Sequence, residues 1–418
     1  MGLPNHSSNR WQKLVLLFNK CLIAWLAVGW LIGTSVSAAD PPVLAGVDVL
    51  QQDNFASLAG QRVGLITNHT GLTRDGVSTV DLLHQSPQVD LQVLFSPEHG
   101  FRGQLDVSQI ADTKDEQTGL PVYSLYGKTR RPTAEMLQQV DTVVFDIQDI
   151  GARFYTYIST MGEAMKASAE EGKRFVVLDR PNPIGGDVVS GPMLDAGNES
   201  FIAFHSLPVR HGMTIGELAR MFRSELELDL KLEVIACQHW RRSMLWDQTG
   251  LLWVNPSPNM RSLTQAILYP GIGMLETTNL SVGRGTDTPF EWIGAPWIDP
   301  LVLADRLNRY RLPGVTIIPT RFTPESSKYA DERCGAVNFM ITDRDAFDPV
   351  PLGFAVADAL VQLYPDQWAC EDNLRLIGNA AVSQAIADGA GVERLKELAQ
   401  RGVDSFMKRR SQYLIYPR

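Results

Sequence analysis

The chain has 418 residues, a formal charge of −9, and 44% hydrophobic and 20% charged residues, which is the composition of an ordinary globular protein. An acidic balance without a basic run argues against nucleic acid as a partner. Four cysteines are too few for a disulfide scaffold, and no pair has metal-site spacing.

In chain order, Arg10, Lys13 and Lys20 precede an apolar stretch from Cys21 to Ile32, followed by TSVSAAD. Val36 and Ala38 have the small-residue spacing of a cleavage site, so residues 1–38 read as a secretory signal peptide. The stretch is short for a full membrane span. The mature chain is therefore expected in the periplasm or secreted, with no stable membrane span. Cys21 begins the stretch, too early for a lipid-attachment cysteine. Loss of three basic residues takes the charge to about −12. Among the remaining cysteines, Cys334 with Cys370 is the expected disulfide.

RVGLITN (62–68) reads as a strand, VSTVDLLHQ (77–85) as a helix and LQVLFS (91–96) as a second strand. Pro132 and Thr133 open a short helix through Val140. TVVFDIQD (142–149) is a buried-type run, Tyr155 to Glu171 a helix, and RFVVLDRP (174–181) another strand. Thr214 and Glu217 form a capping box for a helix through Leu226, and LEVIAC (232–237) closes the series. This βαβα order with near-continuous apolar strands predicts an α/β fold on a mainly parallel sheet. Residues 240–300 hold five of the six tryptophans beyond the leader, many prolines and glycines, and little periodicity. The last part mixes strands (315–322, 336–343) with helices (353–364 and about 378–402). Two domains are expected, 44–255 and 256–418.

In an open parallel sheet, ligands bind beyond the carboxyl ends of the strands. The four exits read Asn68-His69-Thr70, Glu98-His99-Gly100, Asp146-Ile147-Gln148-Asp149 with Arg153, and Asp179-Arg180 with Asn182. Each has a plain structural reading. Asp179 and Arg180 suit a local ion pair, Asn182 a proline-flanked turn, and Asp146 a buried acid satisfied by amides. Glu98, directly after Pro97 on a strand exit, carries the stronger functional signal. His99 is expected to orient it. His84 reads as a surface residue and Glu217 as structural.

There is no G-x-G-x-x-G, P-loop, H-E-x-x-H or G-x-S-x-G, so no cofactor is expected. A magnesium ion between Asp146 and Asp149 stays open as an alternative. LETTNLSVGRGTDTPFEWIGAPW (275–297) places Arg284 in a glycine-rich loop, a plausible carboxylate clamp, with Glu276 and Asn279 ahead of it. Trp292 and Trp297 suit either the core or stacking under a sugar ring. Asn259, in WVNPSPNM, is a candidate ligand contact.

GLITNHTG, PEHGFRG, TGLPVYSLYG, FDIQDIGARFYTYISTM, VLDRPNPIGG, RHGMTIGELA, PSPNM and ETTNLSVGRGT together resemble the exo-β-N-acetylmuramidases of glycoside hydrolase family 171. The resemblance runs from about Gly46 to Arg418. It implies a Rossmann-like catalytic domain followed by a smaller α+β domain that contributes to the cleft. It implies release of N-acetylmuramic acid from non-reducing ends of peptidoglycan fragments, with Glu98 as prime catalytic residue. Glycoside cleavage needs a protonated acid at the leaving oxygen and a second group opposite. Glu98 is expected to be that acid, kept protonated by burial or a nearby anion. His99 and Tyr157 would orient it. Asp149 and Glu276 are candidates for base or nucleophile, and the substrate's acetamido oxygen is a third. Arg153, Arg180 or Arg284 would hold the lactyl carboxylate. Tyr155 and His211 join Asn68, Asp146, Gln148, Asp179, Asn182, Asn259 and Asn279 as substrate-binding candidates. A sugar-binding protein without turnover and a metal-dependent hydrolase are the competing readings.

Overall fold

Among the described residues, nine strands lie between residues 62 and 235: β1 (Arg62–Thr67), β2 (Asp90–Ser96), β3 (Thr113–Lys114), β4 (Pro121–Ser124), β5 (Thr142–Asp146), β6 (Arg174–Leu178), β7 (Ser190–Met193), β8 (Pro208–Arg210) and β9 (Lys231–Ile235). Seven of them form one sheet in the order β3-β4-β2-β1-β5-β6-β9. Within that sheet every pairing is parallel except that of the edge strand β3 with β4, and β7 and β8 form a separate antiparallel pair. From β1 the chain builds outward to β2 and β4, then returns to β5 and builds the other way. That reversal opens a crevice at the strands' carboxyl ends. The computed structural model describes residues 1–2, 41–101, 111–370 and 374–418, so the expected signal peptide lies, apart from its first two residues, outside the described residues.

The period of two along each strand divides the core. Val63, Leu65, Leu94, Val144, Val176 and Leu178 face one side, covered by Val80 and Leu83 of the helix Thr79–Gln85. Ile66, Val93, Phe95, Val143, Phe145, Phe175 and Val177 face the other. There the helices Tyr157–Glu170 and Ile215–Glu225 bury Ile158, Met161 and Met165, and Leu218, Met221 and Phe222. Each such side chain contributes ~1.5–3 kcal/mol relative to exposure. Side-chain caps set the starts of Thr79–Gln85 and Ile215–Glu225: Ser78 accepts from the Val80 amide, and Thr214 with Glu217 closes the expected capping box.

The second face does not end at the sheet. Its core continues into the helices Leu263–Ile272 and Pro349–Leu363, and Pro42–Arg418 form one compact unit. Those two helices cross with their backbones in contact: a Cβ on Gly271 would lie 1.9 Å from the Pro349 carbonyl oxygen, and one on Gly353 2.5 Å from that of Gly271. A three-stranded antiparallel sheet packs on the same core. Its order is β10-β12-β11, with β10 Trp292–Ala295, β11 Val315–Phe322 and β12 Cys334–Ile341. The architecture is thus a mainly parallel α/β layer followed by a smaller mixed one.

Several expectations need correction. The stretch expected as one helix over about 378–402 is two, Ala380–Ala387 and Val392–Gln400, preceded by the single turn Leu374–Ile377. Asn379 caps Ala380–Ala387, and Gly389 and Gly391, at φ 64° and 82°, turn the chain before Val392–Gln400. Cys334 and Cys370 are thiols, and the Cys334 sulfur turns to the Glu332 carbonyl. The region 240–300 contains the helix Leu263–Ile272, apolar on all sides because it is buried on all sides, with Pro270 inside it.

Buried polar ties join the C-terminal tail to the sheet. Arg242 Nη1 pairs with Glu217 Oε1 at 2.6 Å, and the Ile415 amide donates to the same oxygen at 2.9 Å. The Arg242→Met variant leaves Glu217 without its ion-pair partner and is expected to lose ~3–5 kcal/mol in urea unfolding. Adding Glu217→Gln should recover most of it. A loss below about 1 kcal/mol, the range of exposed pairs, would contradict this assignment.

Candidate active site

β2 ends at Ser96, and the chain reverses at once. The Gly100 amide donates to the Pro97 carbonyl at 3.1 Å, with His99 and Gly100 at φ 69° and 78°. A non-glycine residue held there costs ~1–3 kcal/mol and persists where its surroundings over-determine it. This turn takes Glu98 out of the strand line and into a cavity of about 360 Å³. The volume suits a single small ligand. Thr156 Oγ1, the first residue before the helix Tyr157–Glu170, donates to Glu98 Oε2.

The loop after β5 supplies the next wall, with Phe154, Tyr155, Thr156 and Tyr157 all lining the cavity. Tyr269 and Phe290 extend it. The rings form an edge-to-face series: Tyr157 to Tyr155 at 5.1 Å, Tyr155 to Tyr269 at 6.0 Å, and Tyr269 to Phe290 at 4.6 Å. Such pairs add ~0.5–1.5 kcal/mol each beyond their burial. Burial pushes the Tyr155, Tyr157 and Tyr269 hydroxyls above their ordinary pKa, so they stay neutral donors. Tyr157 is held at both ends of its hydroxyl: it donates to the Pro256 carbonyl at 2.5 Å and accepts from Asn68 Nδ2 at 3.1 Å. Asn68 Oδ1 in turn accepts from the Thr70 amide and hydroxyl.

The far rim comes from the C-terminal half. Glu276, Thr277 and Arg284 line it, and Arg284 Nε meets Glu276 Oε1 at 2.5 Å. Ser257, Met260, Ile202, Arg375 and Leu376 complete the enclosure. The structure therefore brings together Glu98, His99, Tyr155, Tyr157, Glu276 and Arg284 from the sequence-predicted set. It adds Phe154, Thr156, Tyr269, Phe290 and Arg375, which carry no motif of their own. Phe154 and Thr156 lie in the FDIQDIGARFYTYISTM motif beside the candidates Tyr155 and Tyr157, so position is the signal that points to them.

The other candidates are corrected to supporting positions. The Arg153 guanidinium is fully buried on four carbonyls, those of Pro192, Leu207, Leu376 and Ile377, and does not line the cavity. It holds in place the turn that carries Arg375. Arg180 grips both oxygens of Asp146, at 2.5 and 2.8 Å, and Thr79 Oγ1 donates to Asp146 as well. With Asp146 so engaged and fully buried, the Asp146–Asp149 magnesium reading loses its donor set. Asp179 accepts from Thr214 Oγ1, the Gly216 amide and the Tyr416 hydroxyl. Gln148 donates to the Asp149 and Pro181 carbonyls, and Asn182 bridges Met213 and Ile184. Asn279 bonds the backbone of Gln367 and Ala369. Asn259 is buried between the lining residues Ser257 and Met260. Trp292 packs on Phe322 and Trp297 on Tyr364, both away from the cavity.

Asp149 lies just outside the cavity, near enough to raise the pKa of Tyr155 and Tyr157. Burial pushes its own carboxyl up to about 7. His211 Nε2 stands 4.0 Å from Asp149 Oδ2, but burial and the Arg410, Arg153 and Arg242 charges push the imidazole down to about 3. The Met213 amide donates to His211 Nδ1, so the neutral ring carries its proton on Nε2, facing Asp149.

Two family models cover nearly the whole described chain: "Exo-beta-N-acetylmuramidase NamZ, N-terminal" over residues 63–264, and its C-terminal counterpart over 267–416. The peptidoglycan beta-N-acetylmuramidase NamZ of Bacillus subtilis (strain 168) is 44% identical over 384 residues, covering 91% of this chain and 93% of that protein. Two crystal structures of DUF1343 family proteins from Bacteroides fragilis NCTC 9343 superpose with TM-scores of 0.84 and 0.74. They are 39% and 30% identical, and each match covers 90% of this chain and 99% of the other.

A carboxyl raised by burial binds its proton more tightly folded than unfolded. The stability Asp149 contributes is therefore full below about pH 4 and lost as pH rises through about 7. The stability of the wild type relative to Asp149→Asn should fall over that window, by at most about 1.4 kcal/mol per pH unit. Urea midpoints of the two proteins that run parallel from acid to neutral pH would contradict this.

Proposed function

The chain belongs to the exo-beta-N-acetylmuramidase NamZ family, and from that premise we propose that it is an exo-acting glycoside hydrolase. It releases N-acetylmuramic acid from the non-reducing ends of peptidoglycan fragments. The observation that carries this reading is the carboxylate Glu98, lifted off a strand end into a cavity of one-sugar size with an aromatic wall and a charged rim. Glu98 donates its proton to the leaving glycosidic oxygen. Among the protein's own groups, the second role falls to Glu276, because it lines the cavity and Asp149 does not. Arg284 and Arg375 are the arginines lining the cavity among the described residues, and they would meet the lactyl carboxylate that sets muramic acid apart from glucosamine. The neutral phenols of Tyr155 and Tyr269 offer hydrogen bonds without adding charge. We also propose export to the periplasm or beyond, on the strength of the basic and apolar N-terminal segment. No helix among the described residues is long and apolar enough to cross a membrane.

Glu98→Gln keeps the size and the Thr156 contact but removes the transferable proton. It should fold normally and lose roughly 10²–10⁴-fold in kcat on a chromogenic N-acetylmuraminide; wild-type-like turnover removes Glu98 from the mechanism. Arg284→Met should narrow the preference for N-acetylmuraminides over N-acetylglucosaminides at least about tenfold, the weight of one charge-assisted hydrogen bond. An unchanged ratio of kcat/KM values would assign the lactyl group elsewhere.

A further inference from the structure

The loop between β11 and β12, residues 323–333, lies outside the substrate cavity yet is fastened to both segments that form its charged rim. Lys328 Nζ donates to the Glu276 carbonyl at 2.5 Å and also to that of Thr278. The next residue, Tyr329, donates its hydroxyl to the Asn279 carbonyl at 2.7 Å. On the other side, the Glu325 amide donates to the Gly285 carbonyl at 2.8 Å. Gly285, at φ 81°, is pressed so close that a Cβ would meet the Ser326 carbonyl oxygen at 2.2 Å. One loop therefore holds the turn that carries Glu276 and the turn that carries Arg284.

The loop's backbone fits such a role. Ser327, Tyr329 and Asp331 all take left-handed conformations, at φ 71°, 60° and 62°. Non-glycine residues stay there only where contacts over-determine them, and such sites gather where geometry matters for function. Of the three, Tyr329 reaches the rim through its hydroxyl, while the Asp331 amide closes the loop on the Pro324 carbonyl.

We infer that the β11–β12 loop is a brace for the Glu276–Arg284 pair, with Lys328 as a positioning residue that sets how tightly the cavity holds an acidic sugar. The inference rests on the proposed function for the identity of that sugar. A guanidinium already oriented by a fixed carboxylate loses less freedom when a ligand anion arrives. If the Glu276 turn slackens, that ordering moves into the binding step. Lys328 does not line the cavity, so its effect must pass through the turn.

The test compares wild type, Lys328→Met and Lys328→Arg by steady-state kinetics on a chromogenic N-acetylmuraminide and by calorimetric binding of free N-acetylmuramic acid. The inference expects KM and Kd to rise about tenfold in Lys328→Met, with kcat falling as well because the same turn carries Glu276, and all three to return toward wild type in Lys328→Arg. Wild-type KM and Kd in Lys328→Met would overturn it. A fall in kcat or thermal stability alone would also overturn it, as the mark of a merely structural role. Should Lys328→Met not fold, Tyr329→Phe removes a single hydroxyl from the same grip. It is expected to raise KM and Kd in the same direction by less, and no change would overturn the brace. A wild type that binds the sugar without cleaving any muraminide would defeat the functional reading instead, and the Kd comparison would still decide the brace.

Discussion

A guanidinium sealed from water sets the conditions for the rest of the site. Arg153 has no exposed surface and donates to four backbone carbonyls. Moving such a charge out of water costs several kcal/mol, which only excellent geometry offsets. Charge-assisted hydrogen bonds to carbonyls from β7, from the approach to β8 and from the helix Leu374–Ile377 supply that offset. The consequence is architectural. Residues far apart in the chain must converge on the segment just before Phe154, Tyr155, Thr156 and Tyr157. The wall of the cavity and the turn carrying Arg375 are thereby fixed to one point.

The same logic separates the four strand exits. Asp146 and Asp179 lie at the ends of inner strands, where nothing wets them, so each must find donors within the protein. Arg180 and Thr79 satisfy the first; Thr214, Gly216 and Tyr416 satisfy the second. Glu98 differs because a turn intervenes between it and its strand. It is half-buried, accepts from Thr156, and opens onto a cavity. The neighbouring acids buttress the sheet so that this one can face a ligand.

Much of this was legible in the sequence. Strands buried on both faces are unbroken apolar runs, so β1, β2, β5 and β6 stand out, and the capping box at Thr214 marks its helix. β7 and β8 do not stand out: they are short, and SGPM and PVR carry no alternation. The helix Leu263–Ile272 has no amphipathic face to betray it. In the site, PEHG and RFYTY point to chemistry because charged or aromatic residues cluster where a strand ends. Arg153 and Arg180 look identical to ligand clamps in sequence, since residue type does not say whether a guanidinium turns inward or outward. Tyr269, Phe290 and Arg375 gain meaning only from tertiary convergence.

The central claim is that this cavity cleaves the bond to a terminal muramyl sugar. NMR of the purified protein with an N-acetylmuramyl-N-acetylglucosamine disaccharide tests it most directly, because the anomeric signals report both bond cleavage and the sugar released. The account predicts free N-acetylmuramic acid appearing in step with disappearance of the disaccharide, with no loss when a chelator is present. Saturable binding with the glycosidic signal intact would contradict it.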